Sequence, residues 1–293
     1  MSNGRKWTGL CLVAGAAAVV GFASPAATQA QDDVPAVNTG AISLELGADV
    51  VTEYWFRGIG QENQGFIFQP YAEINVDLGE VGGLEPTFYA GTWNSFHDRG
   101  DRWFEADFYA GLVAEVADGL TLDVGYINYR APDSATTLAQ EIAVGVAYDD
   151  EELMEGYGLF GLNPRALLAF EFQGAASGPD EGIYLELGIA PEFAVVPEGD
   201  FPVTLSIPVT AGFSLDDYYQ DASGDDSTFG FVDVGVVAGV PLRFMPREYG
   251  DWSASAGVHG LWLGDTNQDI SEMAGTGDDS FNIYGTVGIS MTY

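Results

Sequence analysis

From residue 42 to residue 57 the chain alternates without a break. Ile42, Leu44, Leu46, Ala48, Val50, Thr52, Tyr54 and Phe56 fall on one parity, and Ser43, Glu45, Gly47, Asp49, Val51, Glu53, Trp55 and Arg57 on the other. Side chains of a strand point alternately to its two faces, so the run presents one apolar and one charged face. At ~3.3 Å per residue it would reach roughly 50 Å, longer than a usual globular strand. Eleven further alternating segments follow, at 66–78, 84–94, 103–116, 120–129, 138–148, 165–173, 183–195, 203–215, 230–244, 252–263 and 281–293. Gly and Asp clusters separate them, as hairpin connections require.

The distribution of charge over the two parities decides the fold class. The apolar parity of all twelve segments carries no Asp, Glu, Lys or Arg, whereas the other carries Glu45, Asp49, Glu53, Glu73, Asp77, Glu105, Asp107, Glu115, Asp123, Glu141, Glu171, Glu186, Glu192 and Asp233. A basic group facing the bilayer midplane costs ~2–4 kcal/mol and an acid somewhat less, which excludes charge from a lipid-facing surface. The pattern predicts an all-β fold: a transmembrane antiparallel up-and-down β-barrel of twelve strands. With the N-terminus periplasmic, turns such as 79–83, 117–119 and 196–202 are short and connections such as 216–227 and 264–280 long; 149–158 is an exception on the short side. Trp252 and Trp262 share a face ten residues apart, a spacing that suits two aromatic girdles about 25 Å apart on a tilted strand. Pro70 and Pro208 interrupt predicted strands and need bulges or water-facing positions, because a closed barrel has no free edge.

Residues 1–30 read as a secretory signal: Arg5 and Lys6 precede an apolar stretch from Leu10 to Phe22, and Thr28-Gln29-Ala30 offers a cleavage site. Residues 31–40 form a short periplasmic leader and 41–293 the barrel. Cys11, the single cysteine, lies in the signal, so strand pairing rather than disulfides must stabilise the barrel. Beyond the signal stand seven arginines and no lysine against 44 acidic residues. That balance excludes nucleic acid as a partner. The 47% hydrophobic content excludes an acidic disordered chain. The expected partners are outer-membrane lipid and small solutes.

Several motifs carry a family resemblance. Tyr54-Trp55-Phe56-Arg57-Gly58-Ile59-Gly60-Gln61 is followed by Phe88-Tyr89-Ala90-Gly91-Thr92-Trp93-Asn94-Ser95, then by Asp123-Val124-Gly125-Tyr126-Ile127-Asn128-Tyr129 and the run from Glu141 to Tyr148. In this order they resemble the outer-membrane porins of the TorF family over residues 44–148. The resemblance implies a barrel that passes solutes and transfers no catalytic residue. The final strand, ending on Tyr293, resembles an outer-membrane assembly signal.

The candidate functional residues are those of the inward parity. Glu53, Trp55, Arg57, Glu73, Glu105, Asp107, Glu141 and Arg243 are the expected lumen and constriction residues, with Arg57 beside Glu53 and Trp55; Arg57, Arg165 and Arg243 read equally as structural ion pairs with the wall. Acidic rings favour cations in pores, and the outer loops add Asp216, Asp217, Asp221, Asp225 and Asp226. Asp265 to Ser271 begins like a calcium loop, but Ile270 and Thr276 stand where the motif needs Gly and Glu. No metal, cofactor or turnover is expected. Ser95-Phe96-His97-Asp98 brings hydroxyl, imidazole and carboxylate into one predicted loop, where a solvated histidine is the simpler reading. The sequence thus predicts a channel for small polar or cationic solutes, with a plugged barrel of structural or surface-interaction role as the rival and a His97-dependent hydrolase behind both.

Overall fold

The computed structural model describes residues 38–293, apart from 101, 156, 158–159, 176–179, 200, 222 and 278. The signal, most of the leader, Asp101 and Asp278 lie outside the described residues. In chain order the strands are β1 (Ile42–Val51), β2 (Tyr54–Phe56), β3 (Ile59–Glu62), β4 (Ile67–Asp77), β5 (Thr87–His97), β6 (Trp103–Ala117), β7 (Leu120–Ala131) and β8 (Thr136–Tyr148). They continue as β9 (Arg165–Gly174), β10 (Ile183–Ile189), β11 (Glu192–Val196), β12 (Val203–Ser206), β13 (Val209–Asp216), β14 (Phe229–Pro241), β15 (Asp251–Leu263) and β16 (Phe281–Thr292). Two helices, α1 (Glu151–Glu155) and α2 (Asp265–Ala274), lie in connections.

Fourteen of these strands form one antiparallel sheet that closes on itself. β1 pairs with β16 on one side and β4 on the other. β10 with β11, and β12 with β13, are single wall strands broken at Pro191 and Pro208. Pairing resumes beyond the breaks in the same register, Ile189↔Val209 giving way to Glu192↔Ser206. The wall therefore has twelve strands. Pro70 stays within β4 without a bulge: the ladder to β5 lapses between Phe68↔Phe96 and Tyr71↔Trp93 and continues in step. A proline lacks the N–H that a ladder bond needs, so each break falls where the donor is missing.

The predicted faces hold around the wall. Leu44, Leu112, Val236 and Val287 point outward and are exposed, while Asp49, Asp123, Glu141 and Glu186 point inward and are buried. Trp252 and Trp262 lie at opposite ends of β15, the latter packed on Phe281 at 4.6 Å. A closed sheet with an apolar exterior satisfies every wall N–H and C=O within itself, which is the condition for strands to cross lipid. The protein is an outer-membrane β-barrel.

Three boundaries depart from the sequence reading. The first segment does not run straight to Arg57: β1 ends at Val51, and after Thr52 exchanges hydrogen bonds with Gly285 the chain turns into the lumen. β5 begins and ends three residues later than 84–94, because the bridge Val81↔Leu84 and then Pro86 occupy its expected start. His97 is accordingly a strand residue. β14 stops at Pro241, so Arg243 leaves the wall, is exposed, and donates to the Gly199 carbonyl at 3.0 Å.

Candidate functional site

The inward hairpin is β2–β3. Phe56 pairs with Ile59, so Arg57 and Gly58 form a two-residue turn. Both have positive φ, 49° and 76°, the pairing that a type I′ hairpin turn demands. Gly58 meets the second position at no steric cost, and a Cβ there would lie 2.7 Å from Phe231 and 2.8 Å from Asn267. Arg57 occupies the first at a cost of about 1–2 kcal/mol, since an L side chain crowds its own carbonyl in that region.

That tip reaches the opposite wall. Arg57 donates Nη1 to Glu141 Oε2 at 2.9 Å and Nη2 to Glu141 Oε1 at 2.7 Å. It donates further to the hydroxyls of Tyr218 at 2.9 Å and Tyr129 at 3.4 Å. Its guanidinium carbon lies 4.3 Å from the Tyr184 ring centroid, 5.1 Å from that of Phe56 and 5.5 Å from that of Tyr218. Arg57 is 1% exposed and Glu141 fully buried. A bidentate pair with aromatic faces above and beside it is the geometry that suits a planar guanidinium and not an ammonium.

The rest of the hairpin is held as firmly. Tyr54 donates its hydroxyl to Glu105 Oε2 at 2.6 Å and packs on Trp93. The Arg57 carbonyl accepts from Tyr219 Oη at 2.9 Å and Asn267 Nδ2 at 3.3 Å. Gly60 N donates to Ser271 Oγ, and Thr276 Oγ1 donates to Gly60 O, both at 3.0 Å. Ser271 and Asn267 lie on the buried side of α2, the helix that stands where the sequence reading had a long outer loop. Hairpin, α2 and the Tyr218–Tyr219 corner are thus bonded together at one end of the barrel, the outer end in the orientation expected from the sequence.

The periplasmic half is built otherwise. Glu45, Glu73, Val113 and Arg165 point inward and stay half-exposed. Large side chains there lie flat on glycines of neighbouring strands: a Cβ at Gly47 would collide with the Tyr71 ring, at Gly111 with Tyr89, and at Gly288 with Asp49. Tyr89 donates to Asp123 at 2.8 Å, and Asn75 to Glu73 at 3.0 Å. Arg165 donates to Thr210 at 2.9 Å, with Glu186 at 4.0 Å.

Of the predicted constriction residues, Arg57 and Glu141 meet directly. Glu105 and Asp107 stand beside them as neighbouring buried carboxyls on β6, with Asp107 Oδ1 unpartnered among the described residues. Trp55 donates its indole N–H to Glu53 at 2.8 Å at the hairpin base. Half-burial raises the Glu53 carboxyl above its ordinary pKa, and that bond opposes the rise. Glu73 is separate, on the periplasmic side, and Arg243 lies outside the lumen because its strand ends early. Sequence reasoning missed Tyr129, Tyr184, Tyr218, Tyr219 and Asn267. The available signal was Arg57-Gly58 itself, a positive-φ turn hidden inside an apparently continuous alternation.

Both histidines are buried. His259 Nδ1 lies 2.8 Å from Asp233 Oδ1, whose other oxygen accepts from Tyr284 at 2.9 Å. His97 is not the solvated loop residue expected: its Nε2 is 2.9 Å from Ser95 Oγ, its ring stacks on Phe104 at 4.5 Å, and Glu62 stands 4.0 Å from Nδ1. Ser95 is fully buried. Among the described residues no group of three or more His, Cys, Asp or Glu side chains is placed to hold a metal ion.

A sequence profile described as a bacterial protein of unknown function, Gcw_chp, matches residues 36–198, more than half of the chain. The chain belongs to that family. The matched region contains β1 to β11, and with them Arg57, Tyr129, Glu141 and Tyr184; Tyr218, Tyr219 and Asn267 fall beyond it. No curated protein matches significantly. Among solved structures the chain is similar to LpxR from Salmonella typhimurium, with 8% identity, a TM-score of 0.45, and coverage of 85% of this chain and 99% of that one. It is similar to the NanC porin at 12% identity and a TM-score of 0.42, covering 85% and 98%. It is similar also to the β domain of the Bordetella autotransporter BrkA at 12% identity and a TM-score of 0.41, covering 87% and 99%.

Proposed function

We propose that this barrel is a porin-like passage for small polar or cationic solutes, closed at its outer end by the β2–β3 hairpin. The observation that carries the reading is the contrast along the lumen: a periplasmic half with half-exposed acids such as Glu45 and Glu73 meets a hairpin whose tip is tied to the far wall by the Arg57–Glu141 ion pair and the tyrosine hydroxyls around it. Acidic walls of low dielectric concentrate cations. The motif resemblance over residues 44–148 to TorF porins supports the same reading. No step of turnover belongs to it. Single-channel recording in planar bilayers tests it: wild type should conduct rarely, and Arg57→Ala should give frequent cation-preferring steps. An Arg57→Ala barrel that is folded yet silent would remove the passage.

The rival is a permanently plugged barrel with a structural or surface-interaction role. The depth of the hairpin's burial favours it, since Tyr54 and Arg57 are each only 1% exposed, and Asn267 of α2, which bonds the Arg57 carbonyl, is not exposed at all. Under that reading both proteins are silent. A hydrolase finds less support, because the complete burial of Ser95 keeps the hydroxyl beside His97 from any substrate.

A further inference from the structure

Arg57 is an unusual occupant of its position. It sits at a positive-φ turn that favours glycine or asparagine, on a hairpin that belongs to a connection and not to the wall. What surrounds its guanidinium belongs mostly to the wall: Tyr129 on β7, Glu141 on β8 and Tyr184 on β10, with Tyr218 from the corner after β13. These groups are held without Arg57. Tyr184 donates to Glu186 at 2.9 Å, Tyr129 donates to Glu141 at 2.8 Å, and the Tyr218 N–H donates to Ser214 at 2.9 Å. The pocket therefore exists as a carboxylate flanked by tyrosine faces, and the hairpin supplies its filling.

We propose that this cage is a recognition site for small guanidinium compounds, which Arg57 occupies in cis, and that such a compound arriving from outside competes with Arg57 and frees the hairpin. Three features specify a guanidinium over a simple cation. Both oxygens of Glu141 receive parallel N–H donors, the fork-to-fork contact a planar ion makes. The Tyr184 face at 4.3 Å stacks on that plane. The hydroxyls of Tyr218 and Tyr129 take a further N–H from Nη1 and Nη2, and only the Nε–H finds no partner among the described residues. Glu105 and Asp107 are two further buried carboxyls on β6 beside the cage.

The inference deepens the reading of a cation passage by naming a ligand class, but its readouts are binding and hairpin exposure, which conductance does not enter. The two can therefore fail separately. The probe is ethylguanidinium, with ethylammonium as the control of equal charge lacking the fork. In the Arg57→Ala barrel, titration followed by tyrosine fluorescence should detect ethylguanidinium at least about tenfold more tightly than in wild type. The tethered Arg57 stands there at an effective concentration of about millimolar or more and must be displaced. Ethylammonium should bind Arg57→Ala at least about tenfold more weakly than ethylguanidinium, and adding Glu141→Gln should abolish the difference. Equal binding of the two cations to Arg57→Ala, or discrimination that survives Glu141→Gln, would overturn the proposal.

Should Arg57→Ala fail to assemble, the arginine is kept and Ile59→Cys is introduced, with Cys11 replaced by serine. Ile59 is buried in the hairpin, so maleimide labelling reports its release. Ethylguanidinium should speed labelling severalfold over ethylammonium at the same concentration. Equal rates with the two cations would sink the idea.

Discussion

The outer and periplasmic halves of this barrel are lined from the same twelve strands, yet they handle their inward side chains in opposite ways. In the outer half, Tyr54, Glu105, Arg57, Glu141 and Asn267 meet across the axis and lose contact with water. In the periplasmic half, Tyr71, Tyr89 and Asp49 are laid against glycines of the adjacent strands, and Glu45 and Glu73 stay half-exposed. The wall can support either arrangement. What differs is chain supplied from the connections. Where a hairpin and a helix enter, Glu141 is desolvated against an arginine; where none enters, Glu45 and Glu73 keep part of their exposure, and the buried Asp123 is met by a wall tyrosine instead.

The comparison is most open to attack at Glu141. Glu141→Ala strands the Arg57 guanidinium in a dry site and should cost about 3–5 kcal/mol. Arg165→Ala in the periplasmic half, whose carboxylate neighbour is 4.0 Å away, should cost about 1 kcal/mol or less. Urea unfolding in lipid vesicles measures both, and similar losses would mean that the halves do not differ in solvation.

The faces of the wall come next. Val287 points to lipid and Thr286 to the lumen. Val287→Asp should lower outer-membrane levels well below those of Thr286→Asp, because a lipid-facing acid costs up to about 2 kcal/mol near the midplane. Equal tolerance would place the register one residue out, since such a slip exchanges the faces. A smaller effect is expected at the helix. Ser271→Ala removes the acceptor of the Gly60 N–H and should cost about 1 kcal/mol, seen as faster hydrogen exchange at Gly60 with the wall amides unchanged. The smallest is electrostatic. In the Arg57→Ala background, Glu45→Gln with Glu73→Gln should reduce cation preference more than Asp225→Asn with Asp226→Asn. The gap should shrink as salt rises and the screening length falls toward about 8 Å. A larger effect from the loop pair would put the selecting charge outside the lumen.

The wall was legible in the sequence almost throughout, and for one reason. Lipid outside and a closed ladder within leave little freedom in the parity of charge, so period two is legible along most of the wall strands. Pro70 and Pro208 were expected at bulges or water-facing positions; at Pro70 the ladder instead simply lapses on the outward parity with its register unchanged. The site was half legible. Glu105, Asp107 and Glu141 could be assigned to the inward face, and Arg57 to their company. Alternation alone cannot distinguish a strand that continues in the wall from one that turns inside, because Tyr54 to Arg57 carries on the sequence alternation of β1. The partners of Arg57 were out of reach for a different reason. Glu141 is 84 residues away and Tyr218 161, and nothing local marks either.

Those separations bear on how the molecule comes to be. The hairpin leaves the wall between the first two wall strands, and α2 between the last two. The hydrogen bonds that join them, from Gly60 to Ser271 and from Thr276 to Gly60, span 211 and 216 residues. β1 and β16 flank the seam at which the sheet closes on itself. The two pieces of the plug thus flank that seam from opposite sides. The hairpin can reach Glu141 and Glu105 from its own side, but its bonds to α2 join segments that are neighbours in space only in the closed sheet. Completion of the plug is in this sense coupled to closure of the wall: the same pairing of first and last strands that removes the sheet's edges also brings the two halves of the plug together.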